Sequence, residues 1–194
     1  HKSKIKKIQN ILKFKKADYL FVSAPENVAW LMNIRGNDCP TSPIPNCQLI
    51  IGRTKKLFLI VDEKIASKLV IEKKFHKNQI INPKKFKELI EELDGNKFIT
   101  DCLSCSIHNE KIIKSNFKVI EEEDPCYKLK SIKNSTEIKN TIKAHIEDGL
   151  ALTKFIYWIK NINKKKITEI DSQNKLEKFR KLNKNYLFPS FNTI

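Results

Sequence analysis

Glycine is scarce: Gly36, Gly52, Gly95 and Gly149 are the only four in 194 residues. So few, set so far apart, exclude both a GxGxxG dinucleotide turn and a phosphate-cradling P-loop, which need close-set glycines. HExxH and GxSxG are also missing, which removes the signatures of zincin proteases and α/β-hydrolases. No run approaches the roughly 20 apolar residues of a membrane-crossing helix, and no membrane partner is expected. The chain opens His1-Lys2-Ser3 without an initiator Met or an apolar leader, and no closing element precedes Thr193-Ile194. A fragment of a cytoplasmic protein is therefore expected. Arginine is rare too: Arg35, Arg53 and Arg180 are the only three, although the net charge is +16. Readers of specific nucleic-acid sequences use the arginine fork for bidentate contacts. Lysine alongside abundant Ile and Asn points instead to a coding bias and a solvated surface, so no specific nucleic-acid partner is expected.

Hydrophobic residues make up 40% of the chain and charged ones 31%, a globular composition able to bury a core without disulfide or metal staples. Five cysteines, Cys39, Cys47, Cys102, Cys105 and Cys126, are an odd number and read as reduced thiols. Cys102-Leu-Ser-Cys105 has the spacing of a redox pair or half a zinc site. It lacks a second pair, and it lacks the aromatic and Gly-Pro surroundings of a thioredoxin turn.

Helical and strand periods alternate over the first two thirds. Ile5, Ile8, Ile11 and Leu12 fall at helical spacing over residues 4–16. Strands are expected at 19–22, 48–51, 57–61, 98–100 and 117–120. Helices are expected from Pro25, from Asp62 with Ile65 and Leu69 inward, from Asn82-Pro83 with Phe86, Leu89, Ile90 and Leu93 inward, and through Ile107 and Ile112. Pro40, Pro43 and Pro45 make residues 37–46 a turn-rich loop. The acidic run Glu121–Asp124, read as a solvated linker, marks a boundary before long helices. Asn134 with Glu137 caps the first of these, with Ile138, Ile142, Ile146, Leu150 and Phe155 inward. Thr168 with Asp171 caps a second, with Ile170, Leu176 and Phe179 inward, and Tyr186–Ile194 is expected to be extended. The fold class is α/β.

Chemistry is hard to find. His145 and Asp148 share a helix face at i, i+3, half of a metal site, but an isolated pair beside an Ile stripe is ordinarily solvated. No catalytic constellation emerges from residue chemistry alone.

Longer motifs carry a resemblance. Val28-Ala29-Trp30-Leu31-Met32-Asn33-Ile34-Arg35-Gly36-Asn37-Asp38 resembles the "AWLLN-RG-D" segment of Xaa-Pro aminopeptidases. Lys130–Asn134 with Glu137-Ile138 resembles "KAIKNPVEI". Ala144-His145-Ile146 with Asp148-Gly149 and Ala151-Leu152 resembles "RAHIRDGVAL", and Ser190–Ile194 resembles "SFDTI". The resemblance implies a creatinase-type N-terminal domain, a mixed sheet flanked by helices, over residues 1–125. It implies the truncated start of an α+β pita-bread metallopeptidase domain over 126–194. The whole enzyme would remove an N-terminal residue from peptides with Pro in second position. It would use two divalent metal ions, often manganese, and act as a homodimer. All metal ligands of the family lie downstream of the "SFDTI" segment, so no metal or catalytic residue is assigned here, and this stretch alone is expected to be inactive and metal-free. Arg35 and Asp38 are the candidates for facing the substrate cleft. The same fold also serves catalytically dead peptide- or protein-binding modules, and +16 leaves open a third class, a polyanion binder.

Overall fold

Short apolar runs become strands, the central ones buried on both faces, and the helical periods supply the layers that cover them. The computed structural model describes residues 2–72, 74–162 and 167–191. It divides into two units, residues 1–131 and 132–194.

The first unit is built on a six-stranded mixed sheet of order β4-β3-β2-β1-β5-β6. Its strands are β1 (Tyr19–Val22), β2 (Gln48–Gly52), β3 (Leu57–Ile60), β4 (Ile80–Ile81), β5 (Lys97–Thr100) and β6 (Lys118–Glu121). Only the pairings of β2, with β1 and with β3, are antiparallel; β1–β5, β5–β6 and β3–β4 run parallel. The register sets Tyr19 opposite both Gly52 and Phe98, and Phe21 opposite Ile50 and Thr100. Because side chains alternate along a strand, each strand feeds two cores. Leu20, Val22, Leu49, Ile51, Leu59 and Ile99 pack on one face. There they meet Ile8 and Leu12 of α1 (Lys2–Phe14), Val28 and Leu31 of α2 (Pro25–Met32), and Ala66 of α3 (Glu63–Ile71). Tyr19, Phe21, Ile50, Ile60 and Phe98 pack on the other, with Phe86, Leu89 and Ile90 of α4 (Phe86–Glu92) and Ile113 of α5 (Ile107–Lys114). Phe98 stacks on Tyr19 at 5.2 Å, and Phe117 meets both rings edge-on.

Three details differ from the sequence expectations. Ile65 is half exposed, while Ala66 and Leu69, three residues apart on one helix face, turn inward. β4 is too short to carry a period of its own. Beyond Pro125 the chain forms α6 (Pro125–Ser131), which returns to the first unit. Cys126 is fully buried in the first core and Leu129 packs against it, so the units divide after Ser131, not before Cys126.

The second unit contributes α7 (Ser135–Asn161) and α8 (Glu169–Lys181), each opened by the expected capping box. Arg180 donates to both oxygens of Asp148 at 2.7 and 3.2 Å, and Asn183 and Asn185 donate to Glu147. The inward expectation for Ile138, Ile142, Ile146 and Leu150 is not met: all are at least half exposed, as is Ile170. The described residues of this unit bury Ala151 but supply no layer for that stripe. Residues 186–191 of the segment expected to be extended belong to no helix or strand, and Asn192-Thr193-Ile194 lie outside the described residues.

Candidate functional site

The segment joining α2 to β2 starts from a helix end that the backbone itself closes. Asn33 takes the left-handed conformation (φ 54°), and its N–H bonds the Ala29 carbonyl. The Arg35 guanidinium folds back and donates to the Ile34 carbonyl at 2.8 Å and to the Ala29 carbonyl at 3.4 Å. Cations at a helix C-terminus are favoured there by the unsatisfied carbonyls. Asp38 accepts the Asn46 N–H at 2.7 Å, and the Gly36 N–H reaches the Pro43 carbonyl. These bonds draw the two limbs of the loop together. A Cβ on Gly36 would stand 2.7 Å from Pro45, which is why this position takes glycine. The loop delivers the chain to Cys47, whose thiol is pushed up to about 12 by burial and by the Asp38 charge. Both Arg35 and Asp38 remain exposed.

At the carboxyl ends of the parallel strands lies a buried polar knot. Asp101 follows β5 and Asp124 follows β6, and both are almost wholly buried, as is Asn27 of α2. Asp124 accepts the Asn27 amide at 2.8 Å and the Cys126 N–H at 2.8 Å, and its own N–H donates to Asp101. Lys130 donates to Asn27 at 2.7 Å. Burial pushes the Asp124 carboxyl above its ordinary value, against the pull of these donors. Asp101 in turn accepts the Leu103 N–H, and Ser23 and Ser104 share a hydrogen bond of 2.7 Å.

Known proteins share this arrangement of sheet and loops. The family model described as "Creatinase/Prolidase N-terminal domain" matches residues 1–137. The chain belongs to that family. Over 98% of its length it is 32% identical to a protein named "Probable Xaa-Pro aminopeptidase P" from Paracoccidioides brasiliensis, covering 33% of that protein. The like-named protein of Talaromyces marneffei is 32% identical over the same share and is covered to 31%. The chain thus spans about a third of the length of the curated relatives it matches. Among solved structures, its fold resembles an X-prolyl aminopeptidase from Caenorhabditis elegans with a TM-score of 0.84 at 24% identity, covering 99% of this chain and 32% of that one. That protein is described as a cytosolic enzyme with a di-nuclear active site. The prolidase of Pyrococcus horikoshii gives a TM-score of 0.62 at 22% identity, covering 93% and 48%.

Within this creatinase-type chain, no three His, Cys, Asp or Glu side chains gather as a metal cage among the described residues. Asp101 and Asp124 come nearest, but their oxygens are engaged by N–H donors. His145 is exposed, and Asp148, its proposed partner, is held by Arg180. The described residues therefore do not fit a two-metal centre. Cys102 and Cys105 do lie at a strand-to-helix turn, yet both are free and the Cys105 thiol is pushed up to about 11, chiefly by burial and then by Glu110 and Asp101. A thiol raised in this way is a poor nucleophile. The acidic run read as a solvated linker is corrected at Asp124, which caps α6. The sequence signal that marks it is Asp immediately before Pro, the N-cap and first-turn pattern. Among the described residues no helix is long and apolar enough to cross a membrane.

Proposed function

We propose that these 194 residues serve as the non-catalytic portion of an Xaa-Pro aminopeptidase. As a whole chain, that enzyme would hydrolyse the N-terminal residue from peptides with Pro in second position. The observation that supports this is the 32% identity to Xaa-Pro aminopeptidase P maintained over 98% of the chain. In this reading residues 132–194 begin the pita-bread domain. Two divalent ions, manganese by the family's habit, are held by residues beyond this stretch. The whole enzyme is a cytoplasmic homodimer, and the loop carrying Arg35 and Asp38 faces the substrate cleft. Arg35 acts there as a positioning residue, since its guanidinium ties the loop's Ile34 carbonyl to the Ala29 carbonyl of α2.

The test is turnover of an Arg-Pro-Pro peptide with manganese. The 194-residue chain should bind no stoichiometric metal and release no arginine, and the gene product extended to its natural C-terminus should do both. Metal-dependent turnover by the 194 residues would overturn the proposal. So would an extended product that binds Xaa-Pro peptides without cleaving them, which would identify a binding module instead.

A further inference from the structure

Asp followed directly by Gly occurs twice, at Asp94-Gly95 and at Asp148-Gly149. The pair is chemically vulnerable, because glycine has no Cβ to shield its backbone nitrogen from the carboxyl group before it. The fold treats the two pairs differently.

Asp94-Gly95 lies between α4 and β5, in neither helix nor strand, and both residues are exposed. The Asp94 side chain is 99% exposed, and its ion pair with Lys56 is a surface contact of 3.6 Å. Among the described residues the Gly95 N–H meets no acceptor. The carbonyl of that same peptide accepts the Tyr19 hydroxyl at 2.9 Å, and the hydroxyl in turn accepts from Lys56. A donor polarised by a cation stabilises the negative charge that reaches the peptide oxygen when the N–H proton leaves. Asp148-Gly149 sits within α7 instead. There the Gly149 N–H belongs to the helical ladder, and Arg180 holds both oxygens of Asp148.

We propose that Asp94-Gly95 is a site of spontaneous backbone modification, isomerising through a cyclic imide to isoaspartate, and that Asp148-Gly149 is protected from the same reaction. In the first step the Gly95 nitrogen bonds to Cγ of Asp94. Its proton and the hydroxyl of the protonated carboxyl leave together as water. In the second step water adds to the main-chain carbonyl carbon of Asp94, and the bond from that carbon to the Gly95 nitrogen breaks. The water lost is returned, the chain now runs through Cγ, and the α-carboxylate is free. No oxidant or reductant is consumed.

The position gives the change a structural consequence. The diverted backbone is longer by one carbon–carbon bond, about 1.5 Å. It lengthens directly before Asn96 and Lys97, whose N–H groups hold Asp18 at 2.9 and 3.0 Å. Gly95 already packs so closely on Asp18 that a Cβ would stand 3.0 Å from it. Isoaspartate here therefore loosens the anchor at the start of β5.

Peptide mapping of the 194-residue chain after prolonged incubation at neutral pH tests the assignment. Isoaspartate is read as a shift in retention without a change in mass, and as methyl transfer by an isoaspartyl methyltransferase. The peptide holding Asp94-Gly95 should acquire both signals and the peptide holding Asp148-Gly149 neither. Incubation in urea should bring both signals to the Asp148-Gly149 peptide too. Asp94→Ala should lose them at its own peptide, and the modified chain should lose hydrogen-exchange protection at Asn96 and Lys97. An Asp94-Gly95 peptide that stays unmodified in the folded chain would overturn the proposal, as would equal modification of Asp148-Gly149 without urea.

Discussion

Asp18 shows how much of the fold a single carboxylate can organise. Its oxygens accept the N–H groups of Asn96 and Lys97 at 2.9 and 3.0 Å and meet Arg53 at 3.1 Å, so the end of α1, the β2–β3 turn and the start of β5 share one anchor. Gly95 allows this: at φ 139° it takes a conformation closed to other residues, and a Cβ there would stand about 3.0 Å from Asp18. Burial raises the Asp18 pKa, but the two N–H donors and Arg53 outweigh it, and the net shift is downward. A depressed folded value stabilises the fold above the unfolded pKa of about 4 and loses that contribution as pH falls through the folded value. Asp18→Asn should therefore cost about 1 kcal/mol at neutral pH, below the roughly 1.5–3 kcal/mol of hydrogen bonds to a charged group because the carboxylate keeps some contact with solvent. Urea denaturation at pH 7 and below pH 3 checks this, the difference between variant and parent shrinking in acid.

At the scale of the element, α6 depends on a clasp more than on its own propensity. It is one of the short helices, and isolated helices of such length are unstable in water. Cys126 and Leu129 anchor one side, while Asn27 bridges Asp124 and Lys130 on the other. Asn27→Ala should leave Asp124 buried with one donor fewer, at a cost of about 1–3 kcal/mol. Asp101, Cys126 and Tyr127 also face that carboxylate. Because burial raises the Asp124 pKa, its ionised form opposes folding, and stability is recovered as pH falls through the folded value. The Asn27→Ala penalty should accordingly diminish as the pH is lowered. Hydrogen exchange should show early loss of protection at residues 126–131 while the strand amides stay protected. Unchanged exchange in α6 would contradict the clasp.

At the scale of the whole molecule, α7 presents an apolar stripe that the described residues of its own unit do not cover. Ile138, Ile142, Ile146 and Leu150 on α7 are 50%, 56%, 68% and 58% exposed. Stripes of this kind mark association surfaces. A net charge of +16 opposes contact between copies and is screened by salt. The 194-residue chain should therefore self-associate increasingly with concentration and with ionic strength. Ile142→Ser with Ile146→Ser should return it to a monomer in sedimentation velocity. A parent chain that stays monomeric at high salt would contradict this.

Sequence alone determined the parts of the protein that depend on near neighbours. The phase of α1, the apolar face of α4, the caps Asn134/Glu137 and Thr168/Asp171, and the runs that became β1, β2 and β3 all express periods of a few residues. The motif around Trp30 to Asp38 pointed to the family for the same reason, being a continuous segment. Tertiary structure decided what joins distant residues. It set β1 between β2 and β5, made β4 a strand through its pairing with β3, and turned Ala66 rather than Ile65 inward. It also buried Asp124 among partners that stand about a hundred residues away, at Asn27. Strand order and the burial of a charge are settled by which surfaces meet once the sheet closes, and a local pattern carries no record of its distant partner.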